Sequence, residues 1–545
     1  MTLLAVTAEP VHPARTILAV ITVGRSTSGA AIIEICRVLH QRGHTIHLAC
    51  LEGQESILGV QSFISNVTVV GRAVSSDEDA QIRKLRSESD LETAKGRANQ
   101  MAAFRIMMSW WPETFHNLKE LCTRQRPDFI FSEALADASV DVAALLNIPL
   151  AIRYPQLPSI PQSYIPGMAG FALKHLTSEH ASLWDRMQEE LHRVKMLFSA
   201  RHFALERRRM NLAAGIKPRM PSPKADYLIF VNHFFGLEVP RHLPPLVHPV
   251  GPVLAEDYKP IPDGGRVAQF LETHHAVLLI AFGTHVVTPS WRIHRLIQGV
   301  DAAIKEGLLD GVIWGLKSRD DLDGSIKPPF PTGQEDIFDA SLDYESILSN
   351  DNPTWLVEPW VEQRGILEHP STGLFLTHCG TGSCMEAAYH GVSVLAMPFF
   401  GDQPANSKRL VNAGVAVELH KDRFTARSTL AAITSIMRDD AALFARNTLR
   451  LRRIAHVNSQ RKHLAAQLIE EVMYDHELRF EDEHVNPNSE PGSKQTPSSP
   501  RGGKEIRPMH LQTCDSRIGW WKRTNWDMWL LFPAFFPFLL AKSLM

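Results

Sequence analysis

The sequence predicts an α/β chain in which two Rossmann-like domains with doubly wound parallel sheets face a cleft, followed by a spacer and an aromatic tail. Three observations carry that expectation. Short apolar, β-branched runs at residues 16–23 and 277–282 end in glycine turns and lead into helical patterns, as buried parallel strands do. Proline and glycine crowd together near residue 250, which marks a boundary between two such halves. The chain has 545 residues, 44% of them hydrophobic, enough for two cores and a tail.

Charge narrows the function. The 57 basic and 59 acidic side chains nearly cancel, for a net charge of -2 without a basic block, which argues against nucleic acid as the main partner. The six cysteines (Cys36, Cys50, Cys122, Cys379, Cys384, Cys514) are scattered without a pairing pattern and read as free thiols in a reducing compartment. Cys379 and Cys384 lack the second ligand pair of a zinc site. No metal and no cofactor are expected.

Residues 1–15 form an extension whose apolar patch is too short for a secretory signal, and Pro10 and Pro13 interrupt it. The folded domains are therefore expected on the cytosolic side. Residues 16–23 form the first strand. A helix follows with Ile32, Ile33, Ile35, Cys36, Val38 and Leu39 favouring one face, and residues 45–50 give the second strand. This βαβ unit opens a doubly wound sheet. Between residues 75 and 125 a charged stretch gives way to Met101, Phe104, Met107, Met108, Trp110 and Trp111 at helical spacing. Core packing is the plain reading of that set, and an acceptor pocket lined by Met and Trp is the functional one. Strands are expected at 127–131 and 148–152, a loop above the strand ends at 154–168, and a long charged helix at 173–210. Residues 228–232 give the last strand before the boundary.

The second half repeats the pattern with strands at 277–282, 312–316 and 354–357. Residues 373–377 then run as a buried strand into the turn from His378 to Ser383, which holds Gly380, Gly382 and two hydroxyl residues. A helix through Glu386 is ended by Gly391, and residues 392–397 form another strand that Pro398 stops. A strand feeding a Gly/Ser/Thr turn at a helix N-terminus offers free N–H groups and the positive end of a dipole. A diphosphate is the natural guest. Neither a Walker loop nor the G-x-G-x-x-G fingerprint is present.

The stretch from Trp360 to Gln403 resembles the signature box of the UDP-glycosyltransferase superfamily. Trp360, Gln363, Leu367, His369, Gly373, Phe375, Thr377, His378, Gly380, Ser383, Glu386, Gly391, Pro398, Asp402 and Gln403 stand at its spacing in one ungapped frame. The resemblance implies a GT-B architecture, with the acceptor on the N-terminal domain (16–250) and the nucleotide sugar on the C-terminal domain (251–477). It further implies that Trp360 and Gln363 hold the uracil, His378 and Ser383 the diphosphate, Glu386 the ribose, and Asp402 and Gln403 the sugar. Gly283 and Thr284, in the turn after residues 277–282, join the phosphate contacts on the same ground. Two departures stand out: Thr381-Gly382 replaces the Trp-Asn of plant members, and Ser393 a usual proline. The implied reaction is inverting, metal-independent transfer of a hexose such as glucose from UDP to a small lipophilic acceptor, a secondary metabolite or sterol.

The resemblance fails at the expected base. In active members a histidine in the first strand-to-helix turn takes the acceptor proton, and that place falls on Ser28, whose hydroxyl cannot act as a base near neutral pH. Its usual carboxylate partner falls on Glu133, with Asp137 one helical turn further. Glu133 or Asp137 could serve instead, the acceptor could be acidic enough to need little help, or the chain could bind nucleotide sugar without turnover, as a sensor or pathway scaffold.

Behind the second domain, residues 478–519 are expected to form a disordered linker, since 484–504 hold almost no apolar residue. Residues 520–545 carry Trp520, Trp521, Trp526 and Trp529 beside Lys522 and Arg523, then an apolar run of about 14 residues. At roughly 1.5 Å per residue this falls short of the ~30 Å hydrocarbon core. Tryptophans and cations together predict an interfacial or re-entrant membrane anchor, with a full span from Trp526 to Met545 as the alternative.

Overall fold

A computed structural model describes residues 12–23, 27–58, 61–90, 93–157, 175–216, 227–316, 341–480 and 505–531. The first sheet has seven strands: β1 (Thr16–Ile21), β2 (Thr45–Leu51), β3 (Ile64–Gly71), β4 (Phe129–Glu133), β5 (Leu150–Tyr154), β6 (Leu228–Val231) and β7 (Val247–Pro249). Their order is β3-β2-β1-β4-β5-β6-β7, and every pairing is parallel. The second sheet holds β8 (Val277–Ala281), β9 (Gly311–Gly315), β10 (Trp355–Glu358), β11 (Thr372–Thr377), β12 (Ser393–Ala396) and β13 (Ala416–Glu418). It runs β10-β9-β8-β11-β12-β13, again parallel throughout.

Both sheets reverse strand order beside their first strand, β1 or β8. Such a switch point opens a crevice at the carboxyl ends of the strands, where ligands bind. In the first sheet it lies between β1 and β4, where Leu18 pairs with Ile130 and Val20 with Ser132. In the second it lies between β8 and β11. The central strands are buried on both faces, which is why they appear as unbroken apolar runs rather than alternating ones.

Three strands escaped the sequence. β3 lies at a sheet edge with only its end buried, and its interrupted pattern gives no apolar run. β7 and β13 are three residues long. The long helix begins at Leu183 rather than 173, because Ser182 forms a capping box with Asp185 there.

The C-terminal segment corrects two expectations. The sequence places the helix Arg461–Leu478 with the second domain, yet its Ala465, Ala466, Leu468, Ile469, Val472 and Met473 pack into the core of the first. Arg42 pairs with its Glu470 at 2.6 Å. Residues 505–519 fall within the expected disordered linker, yet Met509 is buried in the same core and Leu511 packs against it. Two apolar side chains in a polar stretch suffice for docking once a preformed groove receives them. Residues 481–504 and the apolar run from 532 to 545 lie outside the described residues. Among those described, no helix is long and apolar enough to cross a membrane.

Candidate functional site

The Gly-rich turn after β11 leads into the helix Thr381–His390. Gly380 is its N-cap, with no side chain bonded to the first-turn amides. Those N–H groups are left for an external acceptor. Cys379 holds a left-handed backbone, φ 62°, an uncommon state for a side-chain-bearing residue. Asn406 Nδ2 donates to its carbonyl at 3.0 Å, which helps hold the turn.

The ring of His378 fills the gap between the two glycine turns. A Cβ on Gly380 would lie 2.6 Å from His378 Nε2, and one on Gly283 would lie 2.8 Å from it. Gly283 also has φ +70°, so glycine is required there twice over. Burial pushes the imidazole down to about 4, with Asp402 pulling the other way, so His378 is neutral near pH 7. Thr284 follows Gly283, half-buried at the rim.

On the opposite side of the turn, Gln363 Nε2 donates to Glu386 Oε2 at 2.6 Å and to Ser383 Oγ at 3.2 Å. This cluster forms a polar wall. Burial raises the Glu386 pKa, opposed by the bond from Gln363 and the charge of Arg364. Trp360, three residues ahead of Gln363, is 63% exposed. It lies in the loop two residues past β10, and an indole left open to water there is one that a flat apolar partner would cover. Gly382 sits half-buried in the first helical turn.

Asp402 and Gln403 are engaged already. Asp402 Oδ2 accepts from Thr381 Oγ1 at 2.6 Å and from Asn406 Nδ2 at 2.9 Å. Thr381 Oγ1 also lies 3.1 Å from the Pro155 carbonyl of the other domain, so the residue that departs from the plant pattern ties the two halves together. Gln403 Oε1 accepts the N–H groups of Phe399 and Phe400 at 2.9 and 3.0 Å. Its carbonyl shapes the turn after β12.

The first domain contributes an apolar cavity. Phe104, Met107, Met108, Trp110, Trp111 and Phe203 line it, with Thr22, Thr114 and Asp137 as its polar members. The aromatic and Met side chains between 75 and 125 thus divide between core and cavity wall. Asp137 begins the helix Asp137–Leu146; the residue is exposed at the surface, and it lines the mouth of the cavity, where protein crowds its carboxyl. Loss of hydration against the packed protein around it raises its pKa, the charge of Arg207 opposes, and Asp141 adds to the rise. Asp141 itself is committed: it accepts from Trp111 Nε1 at 3.0 Å and from Arg207 Nη2 at 2.6 Å.

Glu133 is committed too. Its Oε1 accepts the backbone N–H groups of Thr22 and Val23, each at 2.5 Å, and the Thr22 hydroxyl at 3.1 Å. The residue is buried at the end of β4 and holds the turn leaving β1. Ser28 lies in the first turn of the helix Thr27–Gln41.

Arg153, not among the residues that the sequence pattern points to, is buried in β5. Burial pushes its guanidinium down to about 10, while Asp402 and Glu133 pull it up. It stands electrostatically between the two halves of the site. A cation at the end of the run Leu-Ala-Ile-Arg-Tyr was the signal.

Two facing parallel-sheet domains with a helix-capped turn at the second switch point define the GT-B class of glycosyltransferases. The comparisons give the family. The sequence model described as UDP-glucoronosyl and UDP-glucosyl transferase matches residues 18–477. This chain belongs to that family and is a glycosyltransferase. It is 48% identical to the UDP-glycosyltransferase stmC of Aspergillus ustus, over 96% of this chain and 95% of that one. It is 42% identical to the UDP-glycosyltransferase FPY2 of Fusarium mangiferae, over 95% and 96%. Among solved structures, a UDP-glucosyltransferase from Polygonum tinctorium "capable of glucosylating indoxyl" superposes with a TM-score of 0.55 at 17% identity, covering 85% of this chain and all of that one.

Proposed function

We propose that this enzyme transfers a hexose such as glucose from UDP to a hydroxyl of a small lipophilic acceptor, with inversion and without a metal. Asp137 is the base. The carrying observation is the contrast between two carboxylates: Glu133 is consumed by backbone N–H groups, whereas Asp137 opens at the edge of an apolar cavity with a raised pKa. A carboxylate so tuned accepts protons more readily near neutral pH.

The acceptor would lie against Phe104, Met107 and Trp110, its hydroxyl towards Asp137. As Asp137 takes the proton, the acceptor oxygen attacks the anomeric carbon and the bond to the diphosphate breaks, its electron pair leaving with UDP. Charge growing on that diphosphate is met by the free amides of the helix Thr381–His390, by Ser383 and by His378, preset dipoles that need no reorganisation. Trp360 stacks on the uracil, Gln363 and Glu386 bind the nucleoside, and Asp402 reaches the sugar through its remaining oxygen beside Gln403. Gly283, Thr284, Gly380 and Gly382 let backbone approach the phosphates.

Ser28 favours a second reading, a homologue that binds nucleotide sugar without turning it over. UDP release from UDP-glucose with a panel of phenols, terpenoid alcohols and sterols separates the two. The proposal expects turnover with at least one acceptor and a loss of about 10²-fold or more in Asp137→Asn, with UDP affinity unchanged. UDP binding without turnover across the panel would favour the second reading.

The tail is proposed to lie at a membrane interface. Its support is that Trp521, Trp526, Met528, Trp529, Leu530 and Leu531 are all exposed, a set that suits the boundary between headgroups and acyl chains.

A further inference from the structure

The helix Leu183–Ala213 has 31 residues, about 46 Å at 1.5 Å per residue. One face is structural: Glu189, His192 and Met196 are buried, and Phe203 lines the acceptor cavity with its ring centroid 6.3 Å from that of Phe104. The opposite face should be polar in a helix that simply covers a domain. It is apolar. Trp184, Met187, Leu191, Val194, Phe198 and Leu205 are all exposed. At 100° per residue these six fall within one stripe about 80° wide, with Leu212 in line with it, Leu183 just outside one edge and Leu197 further round on the same side.

Cations border the stripe, Lys195 on one side and Arg201 and Arg208 on the other, and Arg209 interrupts it towards the C-terminal end. The helix carries seven arginines and lysines against four carboxylates, in a chain whose net charge is -2. Arg186, Arg193, Lys195, Arg201, Arg208 and Arg209 are exposed. An apolar face with a tryptophan near its end, flanked by arginines and lysines, matches the chemistry of an anionic bilayer surface: acyl chains for the stripe, lipid phosphates for the cations.

We propose that the helix Leu183–Ala213 is a membrane-binding surface, lying flat in the headgroup region of an anionic bilayer. This holds whichever group serves as catalytic base. Because the same helix lines the acceptor cavity on its inner face, a lipophilic acceptor dissolved in the bilayer enters beside Phe203 without first crossing water. The helix acts in addition to the aromatic tail, so the protein meets the membrane at two places.

Flotation of the full-length protein with vesicles tests this, using phosphatidylcholine alone and phosphatidylcholine with phosphatidylserine. The wild type should float with the anionic vesicles and lose most of that binding at 0.5 M salt. The pair Leu191→Gln and Phe198→Gln should lower the partition coefficient at least tenfold while the thermal midpoint and UDP affinity stay unchanged. Arg201→Glu with Arg208→Glu, which leaves the stripe intact, should abolish the preference for anionic vesicles. The tail pair Trp526→Ala and Trp529→Ala should leave measurable flotation. Equal flotation of the Leu191/Phe198 variant and the wild type would overturn the proposal. So would complete loss in the tail variant, or light scattering that shows a dimer which the helix variant turns into monomer.

Discussion

Gly380→Ala probes the packing of His378 between its two glycines. The backbone of Gly380, φ -60° and ψ 146°, is one alanine adopts without strain, so the effect is one of contact. The new methyl would stand 2.6 Å from His378 Nε2, where ordinary contact needs about 3.5–4.0 Å. The ring must move by close to an ångström, and Gly283, already 2.8 Å from that nitrogen with a Cβ added, faces it on the other side. A hydrogen bond to a charged phosphate contributes about 1.5–3 kcal/mol, so its loss should weaken UDP binding roughly ten- to hundredfold. Alanine for glycine at the N-cap costs on the order of 1 kcal/mol of stability, read separately as a shift in thermal midpoint. Calorimetric titration with UDP on the double-mutant cycle of Gly380→Ala and His378→Ala decides the matter. With the imidazole gone the methyl has nothing to displace, so Gly380→Ala should cost little further affinity. Equal losses in both backgrounds, or full affinity in Gly380→Ala alone, would refute the contact.

The two carboxylates near β1 should separate by assay. Glu133→Ala strands the N–H groups of buried Thr22 and half-buried Val23 and should destabilise the fold by about 1–3 kcal/mol, seen in urea titration, whereas Asp137→Asn should leave the midpoint nearly unchanged. His233 gives a pH signature: it is fully buried, neither ring nitrogen has a hydrogen-bond partner among the described residues, and burial pushes it down to about 4. The unfolded chain therefore takes up the proton first. Its contribution is complete above about pH 6.5 and is lost as pH falls towards 4, about 3 kcal/mol in all. His233→Phe should remove that share of the acid sensitivity in denaturation curves recorded from pH 7 to 4, and an unchanged slope would count against it.

Legibility followed burial. β1, β4, β8 and β11 are covered on both faces, so their apolar runs announced them, while edge strands β3 and β13 have no such requirement and left no run. The donor turn was visible because its chemistry is local: glycines, hydroxyls and a helix start within a few residues. The engagement of Glu133 with the amides of Thr22 and Val23, and of Thr381 with Asp402 and Pro155, joins residues far apart in sequence, and no local pattern encodes it. The apolar stripe on Leu183–Ala213 was spelled out plainly, but the charges between its members concealed it until the buried face was known. The docking of Met509 depended on a groove that exists only after the first domain and the helix Arg461–Leu478 have assembled.

The central claim is that an open indole and a glycine-framed imidazole together receive a uridine diphosphate. Titration of UDP into the wild type and into Trp360→Ala tests it most directly. Binding should be saturable at one site in the wild type and at least tenfold weaker without the indole, since stacking on an aromatic face contributes about 1–3 kcal/mol per base. No binding by the wild type, or equal affinity in the two proteins, would contradict it.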